Sequence, residues 1–340
     1  AEMKEVTIIG GGLAGLGLGN ALARSGVPVR LLEAGSYPRH KVCGEFICGR
    51  GAEALGKLGL GDVLRGARGH RTVSWNRADG RSFTHRLPEP AAGLSRHELD
   101  RRMAEAVTEA GGELLEQTRF RGEAGEGIVF CSGRVATKTD WIGLKFHCTN
   151  LCTAADLEMH LGKDLYLGLS GVENGRVNVC ALARQVPGLQ APREERLLAC
   201  LRHAGLGKLA ERLAGGGIDP ESHAGVAGVA FATFPSLRDP AVRLGDAFSV
   251  IPPFTGNGMS LALESAVEAH PVLLAWARGE ISWASVRSGI RRSCLRRFGG
   301  RLLCARFLHP WLNRPRRQRI LFSASRLRLL PIGALYRLTH

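Results

Sequence analysis

This 340-residue sequence lacks the features that would indicate a membrane-spanning, metal-binding or secreted protein. No uninterrupted run of about 18 apolar residues occurs, which argues against a membrane-spanning helix. The nine cysteines include no Cys-x-x-Cys pair, and no histidine or cysteine cluster matches their spacing, so no metal site is expected. Free thiols in a chain of this length predict a reducing, cytoplasmic compartment. No basic and apolar leader precedes the first apolar segment, so no secretory signal is expected.

Acidic residues are missing from the C-terminal part of the chain. Residues 281–340 contain 14 arginines, no lysine and no acid, whereas the rest holds 32 basic and 31 acidic side chains. Nearly all of the net charge of +15 therefore lies there. Arginines alternate with leucine and phenylalanine, which predicts basic amphipathic helices. We expect residues 287–337 to contact an anionic membrane surface or an acidic carrier protein, or simply to pack on the body and expose their arginines. No nucleic-acid reader motif is present, and no nucleic-acid partner is expected.

A glycine-rich turn follows the first apolar segment. Val6, Ile8 and Ile9 predict a buried strand, and the spacing Gly10-x-Gly12-x-x-Gly15 opens a helix. Such a turn lets backbone amides approach a pyrophosphate at the helix N-terminus. Glu33 ends the next apolar strand, where its carboxylate can accept hydrogen bonds from a ribose. This motif alone leaves NAD and FAD open.

A second motif near the other end of the chain distinguishes the two cofactors. It consists of Gly245-Asp246 and the loop Pro253-Phe-Thr-Gly-Asn-Gly-Met259. Together the two motifs resemble the FAD-dependent oxidoreductases related to geranylgeranyl reductases, flavin halogenases and aromatic hydroxylases, over most of residues 4–280. The resemblance implies FAD, reduced by NAD(P)H or by a protein electron donor. The residues expected to contact FAD are Gly10, Gly12, Leu13, Ala14, Gly15, Glu33, Ala34, Lys41, Gly44, Arg96, Gly245, Asp246, Pro253, Gly256, Asn257, Gly258 and Met259.

The segment Lys41-Val-Cys-Gly-Glu45 resembles the (K)xCG segment of the reductase branch, which runs beside the flavin. Cys43 and Glu45 are the candidate catalytic residues. Near Lys41 and a flavin the pKa of Cys43 would fall and give a reactive thiol; otherwise Cys43 is a small buried residue. Glu45 would be a proton donor if it faces the substrate. Arg96 corresponds to an arginine that faces the cofactor in the family, or else forms a structural ion pair.

Departures from the family patterns bear on the reaction. The Asp-Gly pair of the hydroxylases is replaced by Ser132-Gly133, and the isoprenoid reductase motif Tyr-x-Trp-x-Phe-Pro by Tyr166-Leu-Gly-Leu-Ser170; the Trp-x-Trp-x-Ile-Pro signature of halogenases is missing. We therefore expect hydride transfer at flavin N5 that reduces or dehydrogenates a hydrophobic small metabolite. A flavin monooxygenase, hydroxylase-like or halogenase-like, is the alternative. A flavin-binding electron-transfer partner without turnover is an alternative of another class.

The expected fold class is α/β: a doubly wound Rossmann-like FAD-binding domain, an antiparallel β-sheet substrate lobe and a helical C-terminus. Residues 1–66, 92–136 and 241–285 are assigned to the FAD-binding domain, 67–91 and 137–240 to the substrate lobe, and 286–340 to the basic helical segment. Within the lobe the pattern predicts one amphipathic helix over 192–214 and a strand over 223–234. His147, His160, Tyr166 and Asn178 are candidate substrate-facing residues of that lobe, without a catalytic assignment.

Overall fold

The computed structural model describes residues 2–135, 137–231, 234–236 and 239–327, and beyond these only 329, 333, 336 and 338. The strands are β1 (Val6–Ile9), β2 (Val29–Leu32), β3 (Phe46–Ile47), β4 (Arg68–Arg77), β5 (Ser82–Gly93), β6 (Glu113–Leu115), β7 (Ile128–Phe130), β8 (Trp141–Cys148), β9 (Leu157–Gly162), β10 (Leu165–Gly171), β11 (Val177–Arg184), β12 (Ile218–Ala227) and β13 (Val242–Arg243). The helices are α1 (Leu13–Arg24), α2 (Gly51–Lys57), α3 (Arg96–Glu109), α4 (Arg196–His203), α5 (Gly207–Ala214), α6 (Gly258–Ala277), α7 (Trp283–Asn313) and α8 (Pro315–Arg326).

The first sheet is parallel and has the order β13-β7-β1-β2-β6. Its strands are short and apolar, and Val6 and Ile8 of β1 are fully buried, as strands covered by helices must be. The strand order reverses between β1 and β7. In open parallel sheets ligands bind outside the carboxyl ends of the strands at this switch point. Here it lies between the glycine turn after β1 and Cys131 after β7.

The second sheet has the order β12-β8-β11-β10-β9-β4-β5-β3 and is antiparallel except for the β4–β9 pair. Alternate residues of a strand face the same side, so Lys145 and His147 of β8 share a face. Asn178 of β11 pairs directly with His147 in the register and joins that face. This sheet therefore presents a row of polar side chains from neighbouring strands.

The expected α/β class is confirmed, with three local differences. Residues 192–214 form two helices because Gly205, with φ of +84°, ends the first, as glycine commonly does at a helix C-terminus. The strand expected over 223–234 instead runs from Ile218 to Ala227, since it pairs with β8 from Cys148 onward. Phe46–Ile47, inside the range assigned to the FAD-binding domain, pairs with β5 in the second sheet.

The C-terminal helices pack on both layers. Buried residues recur along α7 every three or four positions; Phe298 and Leu302 join the core of the parallel sheet, and Leu312 joins a cluster beside the second sheet. Arg297 and Arg301 anchor α7 to Glu264 of α6 at 3.1 and 2.9 Å. The end of the predicted contact segment, residues 328–337, lies largely outside the described residues. None of the helices described is long and apolar enough to cross a membrane.

Candidate functional site

The glycine turn has the geometry that a dinucleotide requires. Gly10 has φ of +103°, and a Cβ atom there would lie 2.6 Å from the carbonyl oxygen of Cys131. A Cβ on Gly15 would lie 2.0 Å from the oxygen of Gly10, so only glycine permits helix α1 to approach the strand this closely. Gly12, in contrast, has free space around it, because no atom lies within 4 Å of a Cβ built there. The turn is therefore tight on its inner side and open at Gly12.

The free space at Gly12 lies at the start of α1. This helix has no side-chain cap and no acidic residue in its first turn, so its amides and dipole favour an anion. Leu13 and Ala14 are buried in the core and would offer only their backbone amides. A pyrophosphate fits this combination of uncapped helix and free space.

Glu33 lies beside the turn, at the end of β2. Its carboxylate accepts hydrogen bonds from the amides of Gly11 and Gly35, both at 2.8 Å, and from Arg39 at 2.7 Å. Burial raises the pKa of Glu33, but the Gly35 amide and the charge of Arg39 outweigh it, and the pKa is lowered. The side chain is thus an ionised acceptor, as ribose binding needs. The neighbouring Ala34 is exposed.

A buried ion cluster lies on the other side of the turn. Lys41 Nζ is 2.7 Å from Asp100 Oδ2 and 3.4 Å from the oxygen of Gly11. Arg96 contacts the same carboxylate with Nε at 2.6 Å and Nη2 at 2.8 Å. Asp100 was not singled out from the sequence, although an acid four residues after Arg96 on a buried helix face is a signal for such a pair. Arg96 therefore does form an ion pair, and Lys41 lies against the glycine turn.

Gly245-Asp246 faces the same space from the other end of the chain. A Cβ on Gly245 would lie 3.1 Å from Cβ of Ala14, so this turn touches α1. The Asp246 side chain is open to solvent, yet desolvation raises its pKa, against the opposing charges of Arg96 and Arg134. A carboxylate has both properties when it lines a narrow cleft whose walls remove part of its hydration. Asp246, whose pKa responds to the charge of Arg96, and Gly245, which touches Ala14, thus lie near the start of α1.

The loop before α6 completes this region. Pro253–Thr255 form a single 3₁₀ turn, and Gly256 has φ of +70°. A Cβ at Gly256 would meet the ring of Phe46 at 2.5 Å, so the loop packs closely on the 43–48 segment. Helix α6 then begins at Gly258, after Asn257 and with no acid in its first turn; Met259 is buried. The partial positive charge at the N-terminus of α6 would stabilise a negative charge that develops beside it.

The 43–45 segment is held by side chains of the second sheet. Asn178 donates to the oxygen of Cys43 at 3.0 Å, and Ser170 donates to that of Gly44 at 2.5 Å. Glu45, with φ of +56°, contacts two cationic or imidazole groups: Lys145 Nζ at 2.6 Å and His147 Nε2 at 2.6 Å. Lys145 was missed in the sequence, where a lysine inside the apolar strand Trp-Ile-Gly-Leu-Lys-Phe-His-Cys148 was the available signal.

The catalytic roles expected of Cys43 and Glu45 stay predictions, and the surrounding protein acts on the pKa of each group. Burial raises the pKa of Cys43, and the nearby charge of Arg96 only partly offsets this, so the thiol is not activated. Burial also acts to raise the pKa of Glu45, but the contacts with His147 and Lys145 prevail and lower it to about 2. The contacts with His147 and Lys145 therefore favour the carboxylate form of Glu45 at neutral pH, which disfavours proton donation.

His40, Glu45 and His147 also place potential metal-ligand atoms within 4.8 Å of one another. However, the ammonium group of Lys145 lies 3.2 Å from His40 Nδ1 and 2.6 Å from Glu45 Oε1. It takes the place that a metal cation would occupy. Burial and the charge of Lys145 lower the pKa of His40 to about 4, which keeps this imidazole neutral.

An aromatic cluster surrounds His309 of α7 and includes Phe254 of the 253–256 loop. Its members are Trp141, Tyr166, Phe231, Phe254 and His309. Their ring centroids lie 4.9 to 6.4 Å from that of His309. Burial lowers the pKa of His309 to about 4. Tyr166 thus packs against Phe254 of the loop, whereas His160 pairs with Glu158 at 2.7 Å.

Comparisons with known proteins agree with this geometry. Residues 3–130 match the FAD binding domain family. Menaquinone reductase of Mycobacterium tuberculosis is 28% identical over 175 residues, which cover 48% of this chain and only 40% of that relative. A flavin-dependent brominase has a TM-score of 0.76 at 17% identity, over 99% of this chain and 93% of that one. HpxO of Klebsiella pneumoniae, complexed with FAD and uric acid, has a TM-score of 0.75 at 18% identity, over 98% and 96%.

The two-sheet architecture and the glycine turn at its switch point define an FAD-binding α/β protein. Residues 3–130 therefore carry an FAD binding domain, and the fold of the chain is that of the FAD-dependent enzymes it resembles. The resemblance and the FAD cofactor expected from the two glycine motifs are thereby confirmed.

Proposed function

We propose that this protein reduces or dehydrogenates a hydrophobic small molecule with bound FAD. The observation that carries the proposal is the aromatic cluster around His309. It joins Phe254 of the loop expected at the flavin, Tyr166 and Trp141 of the second sheet, and α7. Sites for small molecules are mostly apolar and contain few polar groups, which matches this cluster.

The residues that would hold FAD follow from the glycine turn, the Gly245-Asp246 pair and the loop before α6. The amides at the start of α1 would bind the pyrophosphate, Glu33 a ribose, and Asp246 the ribitol hydroxyls. The Cys43-Gly44 backbone and the 253–256 turn would flank the flavin ring, since Phe46 packs against Gly256 and joins them. FAD supplies the hydride acceptor or donor, and the chain supplies position and exclusion of water.

The polar group at the centre of the proposed substrate site is neutral, whereas the charged Arg184 lies at its edge, 5.9 Å from the ring of Trp141. Lowering of its pKa to about 4 keeps the His309 imidazole uncharged at neutral pH, so it can accept or donate one hydrogen bond without attracting an anion. A substrate with an aromatic or polyisoprenoid-like apolar body and one carbonyl or hydroxyl fits this surrounding better than a charged one. The partial relative named a menaquinone reductase supports a reductive direction, although the match spans 40% of that protein.

Anaerobic titration tests the proposal. The purified protein should carry FAD, and NADH, NADPH or reduced ferredoxin should bleach its absorbance in the absence of oxygen. Apolar quinones and polyenes are then added as acceptors, and reoxidation is followed without oxygen. Reoxidation by an apolar acceptor supports the proposal. Turnover that requires oxygen and places labelled oxygen in the product identifies a monooxygenase instead, and reduction with no small-molecule acceptor at all favours an electron-transfer partner.

A further inference from the structure

We infer that the outer faces of α7 and α8 form a binding surface for an anionic lipid membrane. The inference concerns the sides of these helices that face away from the protein, and it stands whether or not the substrate proposal does.

The charges of this surface are unbalanced. Eight exposed arginines lie along the two helices and the residue between them: Arg287, Arg292, Arg296, Arg306, Arg314, Arg316, Arg319 and Arg326. Within the described part of the chain, none of the eight forms an ion pair with an acidic side chain. Arg297 and Arg301, in contrast, are used internally against Glu264. Ordinary solvated helices mix charges of both signs, so this surface is complementary to a dense anionic partner.

Large apolar side chains are interleaved with these arginines. Phe307 is 72% exposed, and Leu303, Ile320 and Leu327 are 57%, 58% and 68% exposed. On α7, Arg292, Arg296, Leu303 and Phe307 follow spacings of four, seven and four residues and therefore share one face. On α8, Arg316 and Ile320 are four residues apart and share one face as well, and the exposed Leu327 directly follows the helix.

This arrangement favours a lipid surface over a protein partner. At a bilayer interface, leucine and phenylalanine enter the acyl boundary while the long arginine side chains reach the phosphates. The partly exposed Trp311, with Arg317 5.5 Å from its ring, adds an aromatic group of the kind found at membrane interfaces. The described helices are too polar to span a membrane, so the contact would be interfacial.

The inner faces of the same helices connect this surface to the proposed substrate site. His309 and Leu312 of α7 and Phe322 of α8 are buried toward the second sheet, in or beside the aromatic cluster. The two helices therefore separate that cluster from the surface we assign to lipid. An apolar substrate dissolved in the membrane would meet these helices first.

Vesicle flotation of the full-length, FAD-loaded protein tests the surface. Wild-type protein should float with vesicles of phosphatidylcholine and phosphatidylglycerol, and far less with phosphatidylcholine alone or at high salt. Each arginine near an anionic bilayer contributes about fivefold to affinity, so the double variant Arg292→Gln/Arg296→Gln should bind roughly 25-fold more weakly. Phe307→Ser should lower affinity about tenfold and leave the salt dependence in place.

The matched control is Arg119→Gln/Arg121→Gln, which removes two exposed arginines from a loop elsewhere in the chain. It should bind vesicles like the wild type. All variants should retain bound FAD, which excludes misfolding as the cause of a loss. If both double variants weakened vesicle binding equally, the binding would depend on net charge and not on this surface, and the inference would be overturned. Capture of an acidic carrier protein without binding to anionic vesicles would overturn it as well.

Discussion

The carboxylate of Glu45 and the ammonium group of Lys145 lie 2.6 Å apart, and both side chains are completely enclosed by protein. The pair joins the segment expected beside the flavin to the second sheet, across 100 residues of sequence. His147 contacts the second carboxylate oxygen, so both oxygens of Glu45 have partners from one face of β8. Position rather than proton donation is therefore the role that the geometry gives Glu45.

Removing one member of this pair should be costly. Lys145→Met leaves a buried, uncompensated carboxylate, and we expect the free energy of unfolding in urea to fall by about 3–5 kcal/mol. Glu45→Gln should cost a similar amount, because it leaves the ammonium group unpaired. The double variant Glu45→Gln/Lys145→Met should recover much of the loss. Strict additivity of the two single losses would show that the charges do not interact.

The pH dependence of stability should have two separate windows. Burial lowers the pKa of His309 to about 4 from 6.5, so the unfolded chain binds a proton that the folded chain does not over this interval. The stability from a neutral His309 is complete above pH 6.5 and lost as the pH falls through 4. A shift of this size corresponds to about 3 kcal/mol. For Glu45 the pKa is lowered from 4.5 to about 2, so its contribution is complete above pH 4.5 and lost toward pH 2.

Urea unfolding at a series of pH values separates these two contributions. His309→Phe should flatten the slope between pH 6.5 and 4, though only in part, because His40 titrates over the same interval. Glu45→Gln should flatten the slope below pH 4.5, and it should also lower the pKa of His40 further, because the charge of Glu45 raises that pKa. A His309→Phe protein with the wild-type slope throughout would show that His309 is not held neutral.

The thiols should react in an order set by burial rather than by proximity to lysine. Burial raises the pKa of Cys43, whereas Cys152 is exposed. Iodoacetamide at neutral pH should therefore modify Cys152 first and leave Cys43 intact in the folded protein. Mass mapping after limited labelling gives the order, with Cys152→Ser as the control. Early modification of Cys43 would contradict this prediction and show that Cys43 is a reactive thiol.

The sequence predicted local chemistry better than long-range contacts. The glycine turn, Glu33 and Asp246 were identified because each depends on backbone geometry within a few residues of a strand end. The pairing of Lys145 with Glu45 depends on how β8 is placed in an eight-stranded sheet, which no local pattern encodes. His309 lies on an arginine-rich helix. The charge pattern of this helix predicts an exposed outer face, but it does not predict that the inner face contacts the aromatic cluster.

The open space at Gly12 offers a direct test of the cofactor site. Because nothing lies within 4 Å of a Cβ at this position, Gly12→Ala should leave the stability of the FAD-free protein nearly unchanged. The added methyl group would enter the space that we assign to the pyrophosphate, so FAD affinity should fall about tenfold or more. Gly56→Ala, equally free of neighbours but on the exposed side of α2, is the matched control and should bind FAD normally. Fluorescence titration of the FAD-free proteins measures affinity, and urea unfolding measures stability. Normal FAD binding by Gly12→Ala would move the pyrophosphate away from the start of α1.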